Sequence, residues 1–135
     1  MDKKSVVIVD DDDSICSSLV SLIRSDAVTT RTASTMEGAE ALLKAERFDL
    51  AIVDLRLKGS GNTAGLDLIS AIKAQAPETQ VVIFTGYGSP EVARAARERG
   101  AVDYWEKNIK VATLIEKLRA LGIFVGHRKR PGTTK

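Results

Sequence analysis

Residues 6–13 have the sequence VVIVDDDD, in which four β-branched residues are followed directly by four aspartates. A short, unbroken run of this kind is typical of a strand that is buried on both faces, as strands are in a parallel sheet. The aspartates then stand at the carboxyl end of that strand. Because open α/β sheets bind ligands at this edge, the stretch predicts both a fold class and the place of a functional site.

The same strand pattern returns along the chain. Residues 50–53 and 81–84 are continuous apolar runs, and residues 28–33 and 102–105 are weaker strand candidates at suitable intervals. Apolar residues at helical spacing fill the segments between them, as in residues 15–23. Strands that alternate with helices predict five βα units in one domain, with a parallel sheet and helices on both of its faces.

Several residues mark where the predicted helices begin and end. Residues 34–37 (STME) have the spacing of a capping box with Ser34 as the N-cap. Ser89 is the predicted N-cap of a later helix, with Pro90 at its first position. Gly100 and Gly122 stand where helix-ending glycines are expected.

Length and composition fit one cytoplasmic domain. The chain has 135 residues, of which 44% are hydrophobic, and this is enough to bury a core without disulfides or metals. The single cysteine, Cys16, excludes an internal disulfide framework. No apolar run approaches the roughly 18 residues of a membrane span, and the start of the chain has no secretion signal. We therefore expect a cytoplasmic protein with no membrane partner.

Positive charge is concentrated at the end of the chain. The net charge is +2, from 20 basic and 18 acidic residues. Residues 127–135 contain four of the basic residues, so residues 1–126 carry a net charge of −2. We expect residues 1–126 to form the folded domain and residues 127–135 to be a basic flexible tail or linker stub. A mildly acidic domain argues against direct binding of nucleic acid, which would then require a separate output domain.

Side chains of related chemistry follow the predicted strands. Asp10 and Asp11 follow the first strand, Asp54 the third and Thr85 the fourth, and Lys107 lies just beyond the fifth. Carboxylates that meet at about 5 Å repel each other by roughly 3 kcal/mol at an effective dielectric near 20, so the cluster needs a cation or must be partly protonated. Oxygen ligands alone favour a hard ion such as Mg²⁺. A hydroxyl and an ammonium suit a phosphoryl group, which indicates phosphoryl transfer to or from a carboxylate.

Four segments in this order and at this spacing resemble a known family. Residues 6–12, 48–55, 82–86 and 100–107 are similar to the receiver domain of bacterial two-component response regulators, which are CheY-like proteins. The resemblance covers about residues 3–122. It implies a flavodoxin-like (βα)5 fold with the sheet order 2-1-3-4-5, and a role as the phosphoacceptor in a two-component signalling system.

The resemblance also implies roles for residues at the predicted site. Asp54 would accept a phosphoryl group from a sensor histidine kinase or a phosphotransfer protein. Asp10 and Asp11 would hold Mg²⁺ together with Asp54, with Asp11 as a direct ligand and Asp10 acting largely through water. The backbone carbonyl of Arg56 would be a further ligand. Such a domain catalyses only its own phosphorylation and dephosphorylation, so we do not expect a turnover enzyme.

A conformational switch follows from the same resemblance. Thr85 would hydrogen-bond the phosphoryl oxygens, and Lys107 would pair with them as a point charge. An aspartyl phosphate adds about one negative charge; it would draw Thr85 inward, and the ring of Tyr104 would enter the space that Thr85 leaves. The surface formed by the fourth helix, the fifth strand and the fifth helix would then change its affinity for a partner, an output domain or a second copy in a homodimer.

Near the site the sequence departs from the family pattern. Asn108 follows Lys107 where the family usually has proline, and Lys58 stands where proline is frequent. The glycine-rich residues 58–64 look about three residues longer than usual. A trans bond before Asn108 is expected to aim Lys107 less well, because a cis bond before a residue other than proline costs about 2.5–4 kcal/mol.

Two further side chains are expected to border the site. Arg56 lies two residues after Asp54, and Tyr87 lies two residues after Thr85. The family has side chains at these positions that tune hydrolysis. Our hypothesis is that Arg56 and Tyr87 together shield the phosphoryl group from water.

Two other functions stay open on the sequence alone. Residues 10–14 (DDDDS) also resemble the start of haloacid-dehalogenase-type phosphatases, in which Asp10 would be the nucleophile and Asp12 the acid and base. Against this, the chain has only Asp103 and Glu106 where that family has a late acidic pair. The second alternative is a receiver-like interaction module that no longer switches.

Overall fold

The computed structural model describes residues 3–57, 59–61 and 63–125. The tail predicted at residues 127–135 and the side chain of Lys58 lie outside the described residues. Within the described part, strands and helices alternate along the sequence, five of each. No helix found there has the length and apolar character that crossing a lipid bilayer requires.

The elements begin and end close to the predicted positions. The strands are β1 (Lys4–Val9), β2 (Val28–Ala33), β3 (Leu50–Val53), β4 (Gln80–Thr85) and β5 (Asp103–Glu106). The helices are α1 (Asp13–Ile23), α2 (Met36–Ala45), α3 (Ala64–Gln75), α4 (Pro90–Glu98) and α5 (Val111–Ala120). Compared with the predicted runs, β1 begins two residues earlier, β4 is longer by one residue at each end, and β5 is shifted by one residue.

The sheet has the predicted topology. Its strands are parallel and lie in the order β2-β1-β3-β4-β5, which confirms the doubly wound fold. The strand order reverses direction at β1, which lies between β2 and β3, and Val9 of β1 is paired with Val53 of β3. Open α/β sheets leave a crevice at such a switch point. Asp10 and Asp54, the residues that follow these two strands, therefore stand next to each other at the crevice.

Helices cover both faces of the sheet, and this explains the unbroken apolar run in β1. Val7 and Val9 belong to the cluster that packs against α2, α3 and α4, whereas Val6 and Ile8 belong to the cluster that packs against α1 and α5. All four side chains are fully buried. Because successive strand residues point to opposite faces, a strand covered on both sides needs apolar residues at every position.

The predicted N-cap of α2 is wrong by one residue. Thr35, not Ser34, caps the helix, and its hydroxyl accepts a hydrogen bond from the amide of Gly38 at 3.0 Å. Glu37 is therefore the second helical residue and not the third, so it cannot complete a capping box. Its remaining contribution is the favourable position of a negative charge in the first turn.

The other predicted helix ends are confirmed. Ser89 caps α4 and accepts a hydrogen bond from the amide of Val92 at 3.2 Å. Gly100 and Gly122 follow α4 and α5 with φ angles of 113° and 92°. These angles lie in the left-handed region, where a residue with a Cβ is strained.

The chain continues to contribute to the core after α5. Ile123 is 0% exposed and Val125 is 3% exposed, and both pack into the cluster against α1 and α5, whereas Phe124 between them is 61% exposed. The side-chain amide of Gln80 donates a hydrogen bond to the carbonyl of Leu121 at 2.9 Å, which fixes the start of this segment. Residues 121–125 are therefore an integral part of the described fold.

Neighbouring substitutions test this contribution. Ile123→Ala is expected to lower the free energy of unfolding by about 2–5 kcal/mol, because it leaves a cavity in a closed core. Phe124→Ala is the matched control, and we expect a change within about 0.5 kcal/mol because the ring lies in solvent. Urea denaturation followed by circular dichroism measures both. Equal effects of the two substitutions would show that the segment does not pack as described.

Candidate functional site

Three carboxylates meet at the carboxyl edge of the sheet. The amide of Asp54 donates a hydrogen bond to the carbonyl of Val9 at 2.8 Å, so the parallel ladder continues far enough to place Asp54 beside Asp10. Asp10 and Asp54 are 2% and 3% exposed, whereas Asp11 is exposed. One oxygen of each of Asp10, Asp11 and Asp54 lies within 4.8 Å of the others. The structure therefore gathers the acidic residues that the sequence predicted to converge.

Lys107 reaches the same cluster from the fifth strand. Its Nζ lies 2.8 Å from Asp10 Oδ2 and 3.1 Å from Asp54 Oδ2. The amide of Lys107 donates to the carbonyl of Thr85 at 3.0 Å, which extends the pairing of β4 and β5 up to the site. The described residues contain no cis peptide bond. Our expectation that a trans bond before Asn108 aims Lys107 poorly is therefore wrong, since the ammonium contacts both buried carboxylates.

Burial and charge change the proton affinities of the paired groups. Burial raises the pKa of Asp10 above its ordinary value of 3.8, and the charge of Asp54 adds to the rise, although hydrogen bonds from Lys107 and the Asp12 amide oppose it. Burial alone lowers the pKa of Lys107, but the hydrogen bond and charge of Asp10, together with those of Asp54, outweigh it and raise this pKa above 10.5. The ammonium therefore stays protonated at neutral pH.

These shifts have opposite consequences for stability. The raised pKa of Lys107 contributes stability that is present below pH 10.5 and is lost as the pH rises through the folded-state value. The raised pKa of Asp10 means that ionising this carboxyl costs more in the folded chain than in the unfolded chain. Its contribution therefore falls as the pH rises from 3.8 through the folded-state value. At neutral pH the folded site carries an electrostatic cost that a further cation would relieve.

The donor set fits a divalent cation with a preference for oxygen. Three carboxylates and one ammonium leave a formal charge of −2 at the cluster. Asp54 Oδ1 is buried and has no hydrogen-bond partner among the described residues, so one oxygen of the central carboxylate is available for another ligand. Hard oxygen donors of this kind suit Mg²⁺. The residues present are therefore compatible with the Mg²⁺ site that the resemblance implies.

Gly65 determines how closely α3 approaches Asp54, and the sequence analysis gave it no role. A Cβ at Gly65 would lie 2.4 Å from the carbonyl oxygen of Asp54 and 2.8 Å from Cα of Leu55. The amide of Gly65 also donates to the carbonyl of Leu55 at 2.8 Å. The only signal in the sequence is a glycine at the start of a predicted helix. Because the close contact is with backbone, no rotation of a side chain can relieve it.

Arg56 and Tyr87 form one wall of a cavity at the site. The guanidinium carbon of Arg56 lies 3.9 Å from the centroid of the Tyr87 ring, which is the geometry of a cation–π contact. The cavity measures about 370 Å³ and is lined by Asp11, Asp54, Arg56, Leu57, Gly59, Gly61 and Tyr87. The two residues that the sequence placed beside the site therefore contact each other, and Asp54 borders the same cavity.

Thr85 and Tyr104, the two residues of the predicted switch, lie on neighbouring strands. Thr85 is 0% exposed, and its hydroxyl accepts a hydrogen bond from the amide of Tyr87 at 3.1 Å. Tyr104 is paired with Ile83 across the β4–β5 ladder, and its hydroxyl is buried with no hydrogen-bond partner in the described part of the chain. Thr85 and Tyr104 thus belong to two paired strands, and their role in a switch stays a prediction.

The remaining residues of the aspartate run serve the helix that follows. Asp12 is the N-cap of α1, and its Oδ1 accepts hydrogen bonds from the amides of Ser14 and Ile15. This arrangement directs the carboxylate of Asp12 to the helix and disfavours the acid–base role that a phosphatase would give it. Cys16 is buried and its thiol donates to the carbonyl of Asp10 at 3.3 Å. Burial raises the pKa of this thiol to about 11, which keeps it protonated.

Comparison with known families agrees with this geometry. The profile of the response regulator receiver domain matches residues 6–119. The nitrogen assimilation regulatory protein NtrX of Azorhizobium caulinodans is 36% identical over 110 residues, which make up 82% of this chain but 24% of NtrX. The chain thus spans about a quarter of the length of that relative.

Two solved structures show the same fold. A CheY-like response regulator receiver domain protein from Methanospirillum hungatei JF-1 superposes with a TM-score of 0.80 at 27% identity, over 89% of this chain and 94% of that one. A response regulator protein from Burkholderia pseudomallei superposes with a TM-score of 0.75 at 26% identity, over 87% of this chain and 72% of that one. The latter structure contains a phosphorylated aspartic acid, a calcium ion and citrate.

The contact between Gly65 and the backbone of Asp54 leads to a prediction. Gly65→Ala is expected to lower the free energy of unfolding by about 1–3 kcal/mol and to weaken Mg²⁺ binding, because α3 must move away or displace Asp54. Gly86→Ala is the control, and we expect both values to stay close to those of the wild type because a Cβ at Gly86 would meet no atom within 4 Å. Urea denaturation and calorimetric Mg²⁺ titration measure the two effects. Wild-type values for Gly65→Ala would contradict the prediction.

Proposed function

Because this chain belongs to the response regulator receiver domain family, we propose that it is a phosphorylation switch in which Asp54 accepts a phosphoryl group from a phosphohistidine. The donor is a sensor histidine kinase or a histidine phosphotransfer protein. The observation that carries the proposal is the environment of Asp54. Its side chain is buried beside the ammonium group of Lys107, and its Oδ1 has no hydrogen-bond partner among the described residues. Such a carboxylate has a lone pair available for attack.

The transfer exchanges one bond to phosphorus for another. A carboxylate oxygen of Asp54 forms the new oxygen–phosphorus bond, the nitrogen–phosphorus bond of phosphohistidine breaks, and the imidazole leaves after taking up a proton from solvent. Lys107 already contacts Asp54 Oδ2 at 3.1 Å, so the ammonium needs only a small displacement to pair with a phosphoryl oxygen. Because the raised pKa of Lys107 keeps it charged, this positive charge is present throughout the reaction.

Asp10, Asp11, Asp54 and the backbone carbonyl of Arg56 are the proposed ligands of Mg²⁺. When bound, the ion neutralises negative charge on the phosphoryl oxygens and on the carboxylates. The formal charge of −2 at the cluster favours a divalent ion. The phosphorylated aspartate and calcium ion of the Burkholderia pseudomallei relative support this combination of chemistry in the same fold.

Phosphorylation is proposed to act on Thr85 and Tyr104. The hydroxyl of Thr85 accepts from the amide of Tyr87 but keeps its own proton available, so it can donate to a phosphoryl oxygen. Tyr104 follows the position of Thr85 and changes the face formed by α4, β5 and α5. This face is the proposed contact for an output domain, a partner or a second copy of the chain.

On this proposal the protein is a cytoplasmic signalling domain. It catalyses only its own phosphorylation and dephosphorylation and is not a turnover enzyme. NtrX is about four times as long as the matched segment, so most of that relative lies outside the part that resembles this chain. Any contact with nucleic acid would come from an output domain.

Phosphorylation with a small donor tests the proposal directly. Incubation with acetyl phosphate and Mg²⁺ is expected to add the mass of one phosphoryl group, and neither Asp54→Asn nor wild type with EDTA should gain it. Intact-mass spectrometry measures the adduct. No adduct on the wild type would favour the non-switching module, whereas an adduct that survives Asp54→Asn and maps to Asp10 would favour the phosphatase alternative.

The stack of Arg56 on Tyr87 gives a prediction for the lifetime of the phosphorylated state. Arg56→Ala and Tyr87→Ala are each expected to shorten the lifetime of the aspartyl phosphate several-fold, because either change opens the cavity at Asp54 to water. Tyr87→Phe is the control, since it keeps the ring under the guanidinium. Loss of the adduct with time, followed by mass spectrometry, measures the effect. Unchanged lifetimes in both alanine variants would remove the shielding hypothesis.

A further inference from the structure

Gly88 lies between β4 and α4, directly against the ring of Tyr104. A Cβ at Gly88 would lie 1.1 Å from the Tyr104 hydroxyl oxygen, 2.3 Å from Cζ and 2.9 Å from Cε1. Gly88 does not belong to the residues with positive φ, so no left-handed backbone conformation requires glycine at this position. Glycine is therefore needed at position 88 to leave space for the Tyr104 ring, and not to allow an unusual φ angle.

The position of Tyr104 combines a favourable contact with an unfavourable one. Its ring packs against the core cluster that includes Ile83 and Ala96. Its hydroxyl, however, is buried without a hydrogen-bond partner among the described residues, which costs free energy compared with a hydroxyl in water. Because these contributions oppose each other, a small change at the end of the ring is sufficient to alter the balance between an inward and an outward position.

We propose that Gly88 is a positioning residue that admits the Tyr104 ring to its inward position, and that it thereby sets how strongly phosphorylation at Asp54 is coupled to the α4–β5–α5 face. The first part concerns the unphosphorylated chain, and the second part rests on the proposed function. Glycine at position 88 leaves room for the Tyr104 hydroxyl in this inward position, where a Cβ would overlap it.

The neighbouring glycine provides a matched control. Gly86 lies in the same connection, has no positive φ, and a Cβ placed on it would meet no atom within 4 Å. Both glycines line a cavity of about 450 Å³ together with Thr85, Glu106, Lys107 and Asn108. An added methyl group at Gly86 therefore projects into open space, whereas one at Gly88 collides with Tyr104.

The ionisation of Tyr104 reports the position of its ring without any phosphorylation. Burial raises the pKa of Tyr104 above 10.0, and the nearby charge of Glu106 adds to the rise. The chain has two tyrosines, so a Tyr87→Phe background leaves the absorbance of Tyr104 as the only tyrosinate signal. In that background Gly88→Ala is expected to lower the pKa of Tyr104 towards 10.0, because the ring moves into solvent, while Gly86→Ala leaves it unchanged.

A second measurement tests the coupling to the site. Gly88→Ala is expected to weaken Mg²⁺-dependent binding of beryllofluoride by a factor of at least about five, a size typical of allosteric coupling. In a Tyr104→Leu background the same substitution should have no further effect, since the ring that it displaces is gone. This non-additivity separates positioning of Tyr104 from a general disturbance of the loop.

The outcomes separate the inference from the function on which it rests. An unchanged pKa of Tyr104 in Gly88→Ala, or equal losses of beryllofluoride affinity in the presence and absence of Tyr104, would overturn the inference. If no variant binds beryllofluoride, the proposed function fails, and the pKa still decides whether Gly88 positions the ring. If Gly88→Ala does not fold because its Cβ collides with the ring, the double variant Gly88→Ala/Tyr104→Ala is expected to fold, since the ring is absent. A double variant that also fails to fold would overturn the inference.

Discussion

The close approach of two buried carboxylates is the constraint on which the rest of the site depends. Pairing of β1 with β3 at the switch point places Asp10 and Asp54 side by side, and neither residue is more than 3% exposed. Two such charges within about 5 Å repel by roughly 3 kcal/mol at an effective dielectric near 20. Lys107 offsets part of this repulsion through contacts at 2.8 and 3.1 Å, and the charge that remains favours a divalent cation. The chemistry of the site therefore follows from a topology that holds like charges together.

A second set of contacts joins the strand that carries Tyr104 to the helices on either side. Asp103 accepts hydrogen bonds at 2.8 Å from the amide of Tyr104 and from the indole nitrogen of Trp105, and it lies 3.5 Å from Arg97 of α4 and 3.7 Å from Lys117 of α5. Burial raises the pKa of Asp103, but these hydrogen bonds and charges outweigh it and hold the pKa below 3.8. The carboxylate is thus ionised at neutral pH and connects α4, β5 and α5. Under the proposed function, these contacts are the route by which a displacement of Tyr104 would affect both helices.

Sequence reasoning succeeded where a pattern is set by local or periodic physics. The alternation of apolar runs with helical spacing predicted the parallel sheet, because a strand covered on both faces must be apolar at every position. Asp10, Asp54 and Lys107 could be placed at one edge because parallel strands end on the same side. The expectation that a trans bond before Asn108 misdirects Lys107 failed, since a flexible side chain reached both carboxylates from that backbone. The predicted N-cap of α2 was wrong by one residue, because the position of the N-cap depends on which hydroxyl accepts a hydrogen bond from an unpaired amide of the first helical turn.

The sequence by itself determined the alternating fold and the types of donor at the sheet edge, because strand periodicity and residue type are local properties. Only the tertiary structure decided which backbone each glycine approaches and which partner each polar atom obtains. Gly65 against the carbonyl of Asp54 and Gly88 against the hydroxyl of Tyr104 are contacts between residues that are distant in sequence, with separations of 11 and 16 residues. Close packing between such segments is possible because glycine has no Cβ atom. The pattern of residues along the chain does not predict which other segment will pack at that position.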